Sequence, residues 1–188
     1  MGRDPYADLP RVGAFKVSSH DIADGRTLDR AQVSGLLGAG GADRSPHLNW
    51  SQAPDSTQSF AVTIFDPDAP TAGGFWHWAA YNFPPAVCEL ATNASHHAMP
   101  VGVIELVNDG GTTGYIGAAP PPGHGVHHYW TVVHALDVPM LDLPAGSSPA
   151  FLGFNLYSHT LARAIIVPTY EAPLPRSRSA VRNTGVVT

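Results

Sequence analysis

The sequence predicts a mostly-β, single-domain protein, and three observations support this. First, Gly 19 and Pro 18 within 188 residues supply many turns, which suits numerous short strands better than a helical bundle. Second, strand-length stretches of β-branched and aromatic residues recur, most clearly Ser59-Phe-Ala-Val-Thr-Ile-Phe65, the composition of a largely buried strand. Third, one clear helix start appears late, where Ser148 supplies an N-cap and Pro149 occupies the first helical position. With 44% hydrophobic and 13% charged residues, the chain has the composition of a globular domain.

Taken in order, residues 1–14 read as a loose N-terminal segment, 15–171 as the domain and 172–188 as a disordered basic tail of Pro, Ser and Arg. The first strand is expected near Phe15–Ser18, and Asp24-Gly25 marks a turn. The glycine-rich stretch from Gln32 to Asp43 reads as a loop across the sheet. Strands follow at 59–65, 76–82, about 103–107, 113–117 and 128–136, with Asn108-Asp-Gly-Gly111 as a hairpin signal. In the late helix Phe151, Phe154, Leu161 and Ile165 fall on nearly one face. Ile165–Tyr170 then turns to strand character and is expected to rejoin the sheet.

Several function classes drop out. A net charge of −5 argues against a nucleic-acid surface, which needs a basic face. No stretch is long enough to cross a membrane. The N-terminus lacks the apolar run of a signal peptide, so a cytoplasmic location is expected. Cys88 is the single cysteine; with no adjacent histidine or helix N-terminus it reads as a structural or surface thiol.

The most informative segment is Asp66-Pro-Asp-Ala-Pro70, followed by Phe75-Trp-His-Trp78. Pro67 fixes its own φ and holds Asp66 extended, so the chain leaves the strand on a stiff path. At a spacing of two along an extended chain, Asp66 and Asp68 are expected to point the same way. A plain strand-capping turn needs only one or two turn formers, not paired carboxylates and an aromatic-flanked histidine.

The second segment is Gly114-Tyr-Ile-Gly-Ala-Ala-Pro-Pro-Pro-Gly-His-Gly125, leading into His127-His-Tyr-Trp-Thr-Val-Val-His134. Its strand entrance places His127 and Tyr129 on one face. Gly117, Gly123 and Gly125 are expected to allow close backbone approach to a ligand, with N–H donors in a nest suited to an oxyanion.

Together, these two segments resemble the phosphatidylethanolamine-binding protein family, also called Raf kinase inhibitor proteins, and its bacterial branch in particular. The resemblance runs from about Phe15 to Tyr170 and includes Ser45-Pro-His-Leu-Asn-Trp50. It implies two packed antiparallel sheets with one or two peripheral helices. It also implies one small pocket that accepts phosphate, phosphoethanolamine or another phosphoryl head group. The matching ligand-binding positions are Asp66, Asp68, Pro70, His77, Pro121, His127 and Tyr129. Modulation of a protein kinase or serine protease is implied as a role, and a homodimer as an assembly. The sequence departs from the family at Ala118-Ala119, where Gly-Pro is frequent, and at His128, where arginine is common. Thr71-Ala-Gly-Gly74 is short, as in bacterial members. These departures leave the pocket groups intact and alter its rim.

Of ten histidines, only His77 and His127 combine local chemistry with the family match. His134 reads as a hydrogen-bonded core residue, His96 and His97 as solvated, His159 as lacking a visible partner, and His47 as ambiguous beside a pocket-forming segment. The aspartates are expected to hydrogen-bond the imidazoles, favour their charged forms and aim their N–H groups inward. The alternative is a metal-dependent enzyme with His and Asp ligands in the same pocket, but no His-x-His or His-x-x-x-His pair links the candidates. No Gly-x-Ser-x-Gly elbow is present either. The reading is a non-catalytic binding protein without a cofactor.

Overall fold

Alternating side chains on two long central strands divide the molecule into layers. The computed structural model describes residues 3–95 and 97–174, so His96 and most of the tail expected at 172–188 lie outside the described residues. The strands are β1 (Gly13–Ala14), β2 (Lys16–Ser18), β3 (Leu48–Ser51), β4 (Ser59–Asp66), β5 (Phe75–Phe83), β6 (Glu89–Leu90), β7 (Ile104–Glu105), β8 (His127–His128), β9 (Trp130–Leu136), β10 (Thr160–Ile166) and β11 (Thr169–Tyr170). Helix α1 (Pro149–His159) separates β9 from β10. The main sheet has the order β1-β10-β9-β4-β5-β7, the second sheet is β2-β3-β6, and β11 pairs with β8. Among the described residues every pairing between these strands is antiparallel except β1 with β10.

Phe60, Val62 and Ile64 of β4 pack with Leu48 and Trp50 of β3 to form the core between the sheets. Their neighbour Ala61 faces the other way and packs with Tyr81, Leu136, Leu152 and Leu156 beneath α1. A period of two therefore serves two apolar faces at once, which explains why β4 is buried along nearly its whole length.

Four expectations need correction. Helix α1 does start at the Ser148 cap, whose Oγ accepts the Phe151 N–H at 3.1 Å. However, it ends at His159, and Leu161 and Ile165 lie on β10. Its buried residues are Pro149, Leu152 and Leu156, while Phe151 and Phe154 are exposed. Residues 113–117 form no strand: a single bridge joins Val107 to Thr113, and the Ile116 N–H donates to the carbonyl of His77. The strand expected at 128–136 breaks at Tyr129, whose N–H donates to Pro168 rather than to the main ladder. Within the segment read as loose at the N-terminus, Gly13–Ala14 pair with β10 and the Tyr6 ring packs 5.9 Å from Trp130, with Arg163 4.7 Å above that ring.

Candidate functional site

Strand β4 delivers Asp66 to its end with the side chain on the inter-sheet face, where it is almost fully buried. Asp66 Oδ1 accepts the Asp68 N–H at 2.8 Å, so the Asp-Pro-Asp segment closes into a turn instead of continuing extended. The two carboxylates consequently diverge. Asp66 Oδ2 lies 2.7 Å from Nδ1 of buried His127, while Asp68 Oδ2 lies 2.7 Å from Nδ1 of half-buried His128. Asp68 also accepts the His128 N–H at 2.9 Å, tying the turn to β8. Two adjacent histidines on a strand point to opposite sides, and each aspartate meets one of them.

His77 reaches the same site through a bulge. Phe65 pairs with Trp76 and Ile64 with Trp78, leaving His77 as the extra residue of β5. Such a bulge re-aims a side chain, and here it brings His77 to the Asp66 side. Its Nδ1 is 2.9 Å from the Ile116 carbonyl. A carbonyl only accepts, so Nδ1 carries the hydrogen and Nε2 presents a lone pair. Burial lowers the His77 pKa, against the opposing pull of the Ile116 carbonyl and of Asp66, which keeps the ring neutral near pH 7.

These groups border a cavity of about 210 Å³ lined by Asp66, Pro70, His77, Pro121 and His127, with Leu37, Phe75 and Ala119 among the other wall residues. Five of the seven expected site residues thus come together. Asp68 does not line the cavity but holds its turn through His128. Tyr129 lies beneath it: the ring packs edge-on against His77 at 5.1 Å, and its hydroxyl is buried without a partner among the described residues. Burial raises the Tyr129 pKa, so the phenol stays neutral.

At Gly117 the glycine-rich loop behaves differently from expectation. A side chain at Gly117 would collide with the backbone of Val33 and Ser34, so the close approach is to the chain's own loop rather than to a ligand. The Gly117 N–H donates to Asp43 Oδ1 at 2.8 Å and the Ala118 N–H to the Gln32 carbonyl. Neither is free to form an oxyanion nest. Burial would push the Asp43 pKa up, but hydrogen bonds from Gly117, Leu36, Ser34 and Gly35 outweigh it and hold the carboxyl below its ordinary value.

Sequence reasoning missed His124, whose Nδ1 lies 2.7 Å from His127 Nε2. The available signal was the spacing of three between two histidines across Gly125, which has φ +99° and lets the loop fold back. His47 lies away from this site, stacked on His20 at 3.8 Å, with its Nε2 3.3 Å from Glu89. His159 has a partner in Asp137 at 2.9 Å. Among the described residues no three His, Cys, Asp or Glu side chains are grouped to hold a metal ion.

The family model for phosphatidylethanolamine-binding protein matches residues 18–171, spanning both motifs and every strand from β3 to β11. The chain belongs to the phosphatidylethanolamine-binding protein family. It is 43% identical over 159 residues to the UPF0098 protein YbhB of Escherichia coli, covering 84% of this chain and 100% of that one. It is 40% identical over 164 residues to YbcL of the same organism, covering 86% and 90%. The crystal structure of YbcL superposes with a TM-score of 0.82 over 85% of this chain. Carboxypeptidase Y inhibitor, solved in complex with its cognate proteinase, matches with a TM-score of 0.50 at 15% identity, a likeness of fold alone. Family membership fits the two layers, the Asp-Pro-Asp turn and the histidine-lined cavity in one arrangement.

Proposed function

We propose that the cavity between the Asp66–Pro70 turn and the Ala119–His127 segment binds phosphate or a phosphoryl head group without catalysing its turnover. The observation that supports this best is the chain Asp66–His127–His124, with 2.7 Å at each link, beside a cavity of about 210 Å³. Asp66 accepts the His127 Nδ1–H and so leaves Nε2, which here meets His124, as the ring nitrogen that turns to an anion when one replaces the His124 contact. The His77 Nε2 lone pair adds an acceptor, which suits a ligand that also donates, such as a protonated phosphate or the ammonium of phosphoethanolamine. In this reading the protein works in the cytoplasm as a binding module. Engagement of a protein kinase or serine protease is a matter for its rim, where His128 and the short Thr71–Gly74 connection differ from the common family pattern.

Calorimetric titration of phosphate and phosphoethanolamine tests the reading. His127→Ala is expected to weaken binding by about 1.5–3 kcal/mol, the worth of a charge-assisted hydrogen bond. Unchanged affinity in that variant would sink the assignment.

A further inference from the structure

A second, larger cavity lies on the opposite face of the main sheet. It has a volume of about 590 Å³, within the range of small-molecule sites. Its walls are largely apolar, with Leu9, Phe65, Trp76, Leu156 and the exposed Phe154 and Tyr157. Among the described residues two cations, Arg3 and Arg163, line it, and no acid does. Arg163 makes no ion pair among the described residues, and its Nε is buried without a hydrogen-bond partner there. Asp4 is within electrostatic reach, yet its carboxylate accepts the Tyr6 N–H at 2.8 Å. His134 supplies no charge: burial, and then Arg163, lower its pKa to about 3.

Gly153 provides an independent observation. It sits mid-helix in α1, where glycine costs roughly 0.5–1 kcal/mol relative to alanine. No steric conflict demands it: a Cβ there would meet only Trp76, at 3.9 and 4.0 Å, an ordinary contact. What a side chain at that position would do is fill the cavity, since Gly153 and Trp76 both line it.

We propose that this cavity binds a single-chain aliphatic carboxylate, its tail against Phe65, Trp76 and Leu156 and its head on Arg163. The guanidinium, fixed over the Tyr6 ring and free of ion pairs among the described residues, lines the cavity and offers its terminal N–H groups to a carboxylate. The apolar walls take a chain that water excludes. The site is separate from the histidine-lined cavity, and the inference stands whether or not that cavity binds phosphate.

Decanoate and the uncharged decanol, titrated into the full chain by calorimetry and tryptophan fluorescence, test the proposal. Decanoate should bind at least about tenfold tighter than decanol, the scale of one charge-assisted hydrogen bond. Arg163→Gln should erase that difference. Gly153→Leu should weaken both by about tenfold or more while leaving the thermal midpoint unchanged or higher, which separates blockage from misfolding. His127→Ala should leave decanoate binding untouched. Equal affinities for decanoate and decanol in the parent, or parental decanoate affinity in Gly153→Leu, would overturn the proposal.

Discussion

His77 and His134 are both buried in the main sheet, on β5 and β9, and both are held neutral by loss of water around the ring. They differ in what meets the ring nitrogens. His77 donates to the Ile116 carbonyl, feels the carboxylate of Asp66 and lines a cavity. His134 sits between two hydroxyls, Thr63 at 3.3 Å and Thr160 at 3.4 Å, and near the cation Arg163. The first environment leaves a lone pair for a ligand; the second saturates the ring with neutral partners. Burial thus sets the charge of a histidine, while the neighbouring groups set what it is free to do. The two faces of one sheet carry the two outcomes because adjacent residues, Asp66 beside Phe65 and His77 beside Trp76, point in opposite directions.

The largest expected effect comes from breaking the polar side of this comparison. Asp66→Ala removes the partner of buried His127 and the acceptor of the Asp68 N–H. Losing one member of a buried pair costs about 3–5 kcal/mol, so urea unfolding should show a loss of about 3 kcal/mol or more. A loss below about 1 kcal/mol, the range of surface pairs, would mean the pair is not desolvated as described.

Next is the acid response, to which both histidines contribute. The native His134 pKa is lowered to about 3, against about 6.5 in an unfolded chain. Between these values the unfolded state binds the extra proton, so stability should fall as pH drops from about 6.5 toward about 3 and level off above that window. His77 is shifted in the same direction and adds to the fall. His134→Gln should flatten the acid limb by up to about 1.4 kcal/mol per pH unit, one proton's worth. An identical slope in parent and variant would show that His134 takes up a proton in the native state.

Much of the polar site was legible because its residues sit in short, chemically loud segments. Asp66, His77 and His127 each stand where a strand meets a proline- or glycine-rich turn. What was not legible depends on contacts between distant segments. The bulge at His77 arises from the register of β5 on β4, and no local pattern announces it. Leu161 and Ile165 keep a helical spacing with Phe151 and Phe154, yet pairing with β9 draws 160–166 into strand. Tertiary pairing overrides local propensity there. Tyr6 and Arg163 are separated by most of the chain, so neither the packed N-terminal segment nor the rear cavity had a sequence signal. Asp43 reads as a loop acid, although it spends both oxygens holding Gly117, Gly35 and Leu36.

The smallest expected effect separates the two aspartates that the sequence presents as equivalents. Sulfate, anionic across the working pH range, reports on the protein's donors without a titration of its own. Asp66→Asn keeps the shape but replaces the full charge facing His127 Nδ1 with an amide, whose oxygen and NH2 can each face the ring. Asp68→Asn makes the same change against His128, a half-buried pair outside the cavity lining. Charge pairs that water reaches are worth about 0.2–1 kcal/mol, and only part of that is transmitted to a neighbouring site. Sulfate affinity at pH 6 should therefore fall clearly in Asp66→Asn and by about twofold or less in Asp68→Asn. Equal losses would mean that both carboxylates act on the bound anion, and that the divergence of the Asp-Pro-Asp turn does not divide their roles.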